Sequence, residues 1–127
     1  MISNYTFSII KPDAVSSGKT GPILSMINKA GFEIAAMKMV RLTRQQAEEF
    51  YAVHHERGFY QALVEFMTSG PVVVMVLRHD NAVEQFRKLI GNTDPAKAER
   101  GTVRAEFATD IQMNAVHGSD SDENADR

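Results

Sequence analysis

Apolar and polar positions alternate near the start of the chain with the period of a half-buried β-strand. The alternation runs from Tyr5 to Ile10, with large apolar side chains set against threonine and serine. Lys11-Pro12-Asp13 should end this strand, because proline cannot donate to a strand ladder. Apolar residues then recur at helical spacing, at Ile23, Met26, Ile27 and Ala30. Gly31 is placed as the C-terminal cap of that helix.

The rest of the chain is predicted to contain further helices and strands. They are a strand over Glu33 to Leu42, a helix from Thr43 to about Ala52, a helix from Phe59 to Met67, a strand over Val72 to Leu77, a helix between Asn81 and Gly91, and a short strand over Ala115 to Asp120. Thr43 and Gln46 have the spacing of a capping box, which favours a helix start there. The segment Val72 to Leu77 is nearly all apolar, so we expect a central, buried strand.

The inward faces of two helices follow from the spacing of their apolar side chains. In the helix that ends at Met67, the inward stripe is predicted to be Phe59, Leu63 and Phe66. In the helix capped by Asn81, the inward residues are predicted to be Val83, Phe86 and Ile90. Both helices should pack one face on the sheet.

Between Gly91 and Ala115 the sequence predicts mostly loop, with short helical turns near Pro95 to Ala98 and Val103 to Phe107. Ser121 is predicted to begin a final helical turn. The order β-α-β-α-α-β-α-loop-β indicates an α+β sandwich, a four-stranded antiparallel sheet with helices packed on it. No internal repeat or linker divides the 127 residues, so we expect a single domain over 1–127.

Composition narrows the class of protein. Of the 127 residues, 43% are hydrophobic and 24% are charged, which is typical of a soluble globular domain. The chain has no cysteine, which excludes thiolate metal sites and thiol nucleophiles and agrees with a cytoplasmic location. It shows no signal-peptide pattern and no apolar stretch of the roughly 18 residues that a membrane span needs. The net charge of −2 disfavours binding to nucleic acid, so an anionic substrate would need a local cluster of cations.

Several polar residues lie where functional sites usually form. The glycine-rich phosphate-binding loop of many nucleotide-binding proteins is absent, because Gly18-Lys19-Thr20-Gly21 lacks a glycine at the required upstream position. Lys11 follows a strand, and Arg87 lies one position beyond a core-facing helix residue. Three further candidates lie in the long loop: Thr93, Arg104 and Asn114. A loop of that length in a compact domain is usually functional.

His117 is the candidate nucleophile, within Asn114-Ala115-Val116-His117-Gly118-Ser119-Asp120-Ser121. The adjacent Gly118 is expected to leave open space on one side of the imidazole, and the flanking serines and Asp120 could fix its backbone and tautomer. A neutral imidazole is a nucleophile at pH 7, since its reference pKa is about 6.5. A single histidine is more often packed or solvated than catalytic, so its residue type alone leaves both interpretations open.

Two segments resemble the signatures of nucleoside diphosphate kinases. The first is Thr6-Phe7-Ser8-Ile9-Ile10-Lys11-Pro12-Asp13-Ala14-Val15, and the second is the segment around His117 from Asn114 to Ser121. Shorter segments between them match the family pattern in order and spacing: Phe50-Tyr51, Phe66-Met67-Thr68-Ser69-Gly70-Pro71-Val72 and Gly101-Thr102-Val103-Arg104. The first signature's Lys-Pro-Asp alone would be a weak signal, whereas the second signature at this distance from it is strong. The similarity covers essentially the whole chain.

The resemblance implies a ferredoxin-like fold and transfer of the γ-phosphate from ATP or another nucleoside triphosphate to a nucleoside diphosphate. His117 would be the phosphorylated residue of a ping-pong mechanism. The nucleotide would be bound by Lys11, Tyr51, Phe59, Arg87, Thr93, Arg104 and Asn114. Magnesium (Mg2+) would bridge phosphate oxygens of the nucleotide with few or no direct protein ligands. Family members usually form homo-oligomers, either tetramers or hexamers.

The same resemblance gives each of these side chains a role. The lysine and the two arginines would surround the β- and γ-phosphates, where mutually repelling cations are compensated by the anion. Thr93 would donate its hydroxyl to a phosphate, and Asn114 would hydrogen-bond the sugar, as Lys11 could also do. Phe59 would stack on the base, which predicts tolerance of every base. Tyr51 would line the site near the histidine.

The sequence departs from the family pattern at three places. Gly58 stands where the family usually has proline, and Arg100 stands where an acid often precedes the glycine. The chain also stops at Arg127, before the usual end of the family, and the absent segment usually includes a glutamate that hydrogen-bonds the catalytic histidine. One alternative is therefore a nucleotide-binding but catalytically weakened relative that serves as a scaffold, although the presence of His117 argues against it.

A second alternative is an RNA-recognition domain, because Arg57-Gly58-Phe59-Tyr60 superficially resembles the start of an RNP1 motif. That motif belongs on a central strand, whereas here it opens a predicted helix. A metal site at His54-His55 is also conceivable, but adjacent side chains on a helix point about 100° apart. Surface exposure is the preferred interpretation of this histidine pair.

Overall fold

Four strands in the described part of the chain form one antiparallel sheet. A computed structural model describes residues 4–51, 58, 60–92, 94–108 and 115–118. The strands are β1 (Tyr5–Ile10), β2 (Glu33–Val40), β3 (Val72–Arg78) and β4 (Val116–Gly118). Their order in the sheet is β2-β3-β1-β4, with every neighbouring pair antiparallel. This sheet confirms the predicted α+β class and the interior position of β3.

Six α-helices connect and cover the strands in the described part of the chain. They are α1 (Pro12–Ser16), α2 (Thr20–Lys29), α3 (Arg44–Phe50), α4 (Tyr60–Met67), α5 (Ala82–Ile90) and α6 (Val103–Phe107). A short 3-10 helix over Pro95–Lys97 precedes α6, as the sequence predicted. Helix α1 was not predicted. Pro12 ends the strand as expected, but its fixed φ also suits the first position of a helix.

Local capping residues fix the helix ends as predicted. Gly31 follows α2 with φ of +92°, a conformation that glycine adopts without steric cost. The next amide, of Phe32, donates to the Ile27 carbonyl at 3.2 Å and completes the helix stop. At the start of α3, Thr43 Oγ1 accepts from the Gln46 amide at 3.1 Å, and Gln46 Oε1 accepts from the Thr43 amide at 2.9 Å. Both bonds of the capping box are therefore present.

The described residues contain two clusters of buried hydrophobic side chains, to which alternate residues of the strands contribute from opposite faces of the sheet. Successive side chains of a strand point to opposite faces. Ile10 and Val116 accordingly join a cluster with the buried residues of α2 and α5. Ile9 joins a second cluster with residues of α3 and α4. The sheet position of a residue therefore decides which set of helices it meets.

The predicted inward face of α4 was wrong by one residue. The buried residues of this helix are Tyr60, Val64 and Met67. Leu63 and Phe66 are only half-buried, and Phe59 lies outside the described residues. The Tyr60 hydroxyl donates to the Glu48 carbonyl at 3.1 Å, so the first residue of α4 bonds the backbone of α3. Both stripes have helical spacing, and this contact between helices selects one of them.

The predicted cap at Asn81 also needs correction. Asn81 holds the N-cap position of α5 with φ of 50°, but its side chain does not bond the helix backbone. Its amide Nδ2 instead donates to Glu84 Oε2 at 2.6 Å. Its backbone N–H donates to Asn4 Oδ1 at 3.3 Å. The predicted inward residues of α5 and the stop at Gly91 are confirmed.

The remaining differences concern element ends. Strand β2 ends at Val40, before the predicted Leu42, and α3 ends at Phe50. The predicted helix end at Ala52, the end of the last strand and the turn at Ser121 lie outside the described residues. Tyr60 begins α4, so this residue of the supposed RNP1 motif is not on a strand. No helix in the described ranges combines the length and the apolar character that crossing a membrane requires.

Candidate active site

His117 is the middle residue of β4 and pairs with Ile9 of β1. Its half-buried side chain lies on the face of the sheet that α3 covers. The ring centroid lies 4.9 Å from that of Phe50 and 6.5 Å from that of Tyr51, both in edge-on geometry. Ser8 Oγ donates to the His117 carbonyl at 2.8 Å. Aromatic edges therefore orient the imidazole while the sheet fixes its backbone.

Tyr51 follows α3 directly and is buried. Burial raises the pKa of its phenol, so the hydroxyl remains protonated at neutral pH. This hydroxyl has no hydrogen-bond partner among the described residues. Buried hydroxyls are normally hydrogen-bonded, so a donor left open beside the histidine ring suits a polar group that enters the site.

The sequence suggested that Gly118 leaves open space beside the imidazole, and this prediction was wrong. A Cβ at this position would lie 3.0 Å from Phe86 Cδ2 and 3.1 Å from Ile90 Cδ1. Both of these side chains belong to the buried face of α5. The glycine therefore allows α5 to pack closely on β4, and its role concerns the strand that carries His117 rather than the ring itself.

Lys11 lies at the end of β1 and is only 6% exposed. Its backbone N–H donates to the Ala115 carbonyl at 2.7 Å, which ties it to the residue before β4. Burial lowers the pKa of Lys11 to about 8, and the charge of Arg104 acts in the same direction while Asp13 opposes both. At pH 7 the ammonium is still mostly charged, and a bound anion would raise its pKa again.

Arg104 lies in α6, is 9% exposed, and bonds the backbone on two sides. Its Nη1 donates to the Gly91 carbonyl at 3.0 Å and its Nη2 to the Val116 carbonyl at 2.9 Å. Burial lowers the pKa of Arg104 to about 10, and Arg87, exposed on α5, contributes to the same shift. Lys11, Arg104 and Arg87 thus form a chain of mutually repelling cations beside β4. An anion with several charges would compensate this repulsion.

Gly91 has a role beyond ending α5. Its φ is +88°, and a Cβ there would lie 2.6 Å from Thr102 Oγ1. The absence of a side chain lets the end of α5 approach the residue that caps α6. This close approach brings the Gly91 carbonyl to the guanidinium of Arg104, which the sequence did not reveal.

Sequence reasoning gave no role to Asp13 or Phe50. Asp13 Oδ2 accepts from the Ala115 amide at 3.2 Å, and burial raises the pKa of this carboxyl. Phe50 packs against the His117 ring. Both lie in segments that resemble the family, one two residues after Lys11 and the other directly before Tyr51, but neither position in the sequence indicates these contacts.

Phe59, Thr93 and Asn114 lie outside the described residues, so their roles stay predictions. In the parts of the chain that are described, no group of three or more His, Asp or Glu side chains could hold a metal ion. The described polar groups around β4 are mainly cations and a phenol. Such donors suit phosphate oxygens.

The fold and this site define an α+β protein of the ferredoxin-like class with a histidine and cations suited to phosphoryl groups. The sequence model of the family described as nucleoside diphosphate kinase matches residues 4–127. The chain therefore belongs to the nucleoside diphosphate kinase family, whose members are phosphotransferases.

Individual relatives agree with this assignment. The chain is 56% identical to a nucleoside diphosphate kinase of Flavobacterium psychrophilum over 98% of this chain and 90% of the relative. It is 59% identical to one of Chlamydia felis over 94% of this chain and 85% of the relative. The solved structure of the Aquifex aeolicus enzyme has a TM-score of 0.94 at 48% identity and covers 97% of this chain and 89% of that one. These similarities support a phosphotransferase and give no support to the catalytically weakened relative.

Proposed function

We propose that the chain transfers the γ-phosphate of ATP or another nucleoside triphosphate to a nucleoside diphosphate through a phosphohistidine at His117. The proposal rests on one observation: two buried cationic residues are hydrogen-bonded to the backbone directly before His117. The guanidinium of Arg104 donates to the carbonyl of Val116, directly before the histidine, and the backbone N–H of Lys11 donates to the carbonyl of Ala115. Both cationic residues are thus tied to the strand that carries the half-buried imidazole, and we infer that their charges act on a phosphoryl group attached to it.

The proposed reaction has two half-reactions at one site. In the first, a ring nitrogen of His117 attacks the γ-phosphorus, and a P–N bond forms as the bond to the β–γ bridging oxygen breaks. The diphosphate leaves with the electron pair of that bond. In the second, a terminal oxygen of another nucleoside diphosphate attacks the phosphorus, and the P–N electron pair returns to the ring. Lys11, Arg87 and Arg104 stabilise the charge on the transferring group in both directions.

The other binding roles rest on the family resemblance. We propose that Phe59 stacks on the base, Thr93 donates to a phosphate and Asn114 bonds the sugar. The open hydroxyl of Tyr51 supports a donor role toward a phosphate oxygen near the histidine. Mg2+ bound by the nucleotide would neutralise part of the phosphate charge. The cationic character of the described donors supports a metal held by the nucleotide rather than by the protein.

Labelling with ATP tests the covalent step. We expect incubation with ATP radiolabelled at the γ-phosphate to give about one labelled phosphate per chain, in an acid-labile and base-stable linkage. Addition of an unlabelled nucleoside diphosphate should then remove the label as a new triphosphate. Phosphate transfer without any labelled protein would instead indicate direct transfer between two bound nucleotides and would contradict the proposal.

We also propose that the protein is a homo-oligomer, with a tetramer or a hexamer as the expected form. Strand β2 supports this proposal because it is an edge of the sheet within the described residues. Its Met37 and Met39 are 52% and 59% exposed, and an edge strand with exposed apolar side chains favours pairing with another chain. The particle mass in solution tests the assembly, and a monomer at micromolar concentration would contradict it.

A cytoplasmic location is proposed on narrower grounds. The absence of cysteine in all 127 residues agrees with a reducing compartment. Cell fractionation tests this location, and recovery of the protein outside the cytoplasmic fraction would contradict it.

A further inference from the structure

Ala115 has an unusual backbone conformation directly before β4. Its φ is 73°, in the left-handed region that residues with a Cβ rarely adopt, and the residue is fully buried. Such a conformation persists only where surrounding contacts hold it. Ala115 lies two residues before His117, so its conformation sets the direction in which β4 begins.

Both backbone groups of Ala115 are bonded to the segment that follows β1. Its N–H donates to Asp13 Oδ2 at 3.2 Å. Its carbonyl accepts from the Lys11 N–H at 2.7 Å. The next carbonyl, of Val116, accepts from Arg104. Among the described residues, the Asp13 carboxylate is the side chain that accepts the hydrogen bond from the Ala115 amide.

We propose that Asp13 is a positioning residue whose carboxylate holds the left-handed turn at Ala115 and thereby fixes the position of the His117 ring. This inference rests on the proposed function of His117. The bond joins residues 102 positions apart in the sequence, so it belongs to the tertiary structure of the site rather than to helix α1 alone.

The charge of Asp13 has a second consequence in the same place. Its carboxylate opposes the lowering of the Lys11 pKa. Its Oδ1 is buried without a hydrogen-bond partner among the described residues, and burial raises the pKa of the carboxyl. A buried carboxylate is unfavourable unless its contacts compensate. The Ala115 amide is the largest of the interactions that lower this pKa, and the amide of Ala14, the Lys11 charge and the amide of Asp13 itself act in the same direction.

Two substitutions of Asp13 distinguish its role in positioning His117 from the effect of its negative charge. Asp13→Ala removes the acceptor for the Ala115 amide, so we expect kcat to fall about tenfold or more while nucleotide affinity changes less than about threefold. Asp13→Asn retains an acceptor oxygen, so kcat should stay within about threefold of the wild type near pH 7. An unchanged kcat in Asp13→Ala, or an equal loss in both variants, would overturn the positioning role.

Asn4→Ala is a matched structural control. Asn4 Oδ1 accepts from the amide of Asn81, another residue with positive φ, at 3.3 Å. Asn81 precedes α5 and lies near the other end of β1, since the amide of the nearby His79 bonds the Asn4 carbonyl. The Asn4 variant should lose thermal stability without losing kcat. If it loses kcat as much as Asp13→Ala, the effect of Asp13 is general destabilisation.

Hydrogen exchange keeps the inference testable if Asp13→Ala does not fold. The Ala115 amide should be protected from exchange in the wild type and in Asp13→Asn, and fast exchange in the wild type would overturn the proposal. Single-turnover phosphorylation distinguishes this failure from failure of the proposed function. A wild type that never forms phosphohistidine refutes the function of His117, whereas normal formation in both wild type and Asp13→Ala refutes only the role of Asp13.

Discussion

Replacing His117 with alanine is expected to lower the rate of phosphate transfer by at least about a thousandfold, with nucleotide affinity changed less than about tenfold. The substitution removes the nucleophile but leaves the cations in place. Arg104 is held by the carbonyls of Gly91 and Val116, and Lys11 is held through its own backbone. None of these bonds uses the imidazole. Steady-state transfer and calorimetric nucleotide binding measure the two quantities separately.

His79→Ala provides the control for this substitution. His79 packs its ring 4.5 Å from Phe32, and its amide bonds Asn4 at the opposite end of β1 from the Ile9–His117 pair. We expect that variant to transfer phosphate at about the wild-type rate. If His117→Ala retained transfer within about tenfold of the wild type, the covalent mechanism would be wrong.

Much of the fold could be predicted from local signals. Strand β1 ends two residues before Pro12, α2 ends two residues before Gly31, and α3 begins directly after the capping residue Thr43, so each signal lies within a few residues of the boundary it sets. The buried face of α4 could not be predicted in this way, because two stripes of that segment have helical spacing. The hydroxyl of Tyr60 reaches a carbonyl in α3, and that contact decides between them.

The identity of the site residues could be predicted better than their relations to one another. The family resemblance named Lys11 and Arg104, but no local pattern shows that Arg104 lowers the pKa of Lys11. No local pattern in the sequence shows that Gly118 allows α5 to pack closely on β4. The bond from Asp13 to Ala115 spans 102 positions. Such relations depend on which elements the fold brings together, and a single sequence does not contain that information in its periodicity.

Substitution of Arg104 by methionine is expected to lower the transfer rate by about a hundredfold or more. The change removes a buried positive charge beside β4 and leaves the carbonyls of Gly91 and Val116 without their donor. Arg104→Lys keeps the positive charge but lacks the two guanidinium nitrogens that bond the two carbonyls. We therefore expect this variant to transfer phosphate at least about tenfold more slowly than the wild type. Arg100→Met, at an exposed position that precedes helix α6, should leave the rate unchanged within about threefold.

Arg104→Met is also expected to change the pKa of Lys11 in a way that unfolding of the variant would not. The charge of Arg104 is the second cause, after burial, of a Lys11 pKa of about 8 instead of 10.5. Without that charge the pKa should rise, but it should stay below its ordinary value because the burial remains. More of the Lys11 amine would then be protonated at any alkaline pH. Competitive chemical labelling of this amine across the alkaline range measures the shift. An unchanged or lower pKa in a folded variant would mean that the two cations do not share one electrostatic site, and the proposal of a common phosphate between them would lose its support.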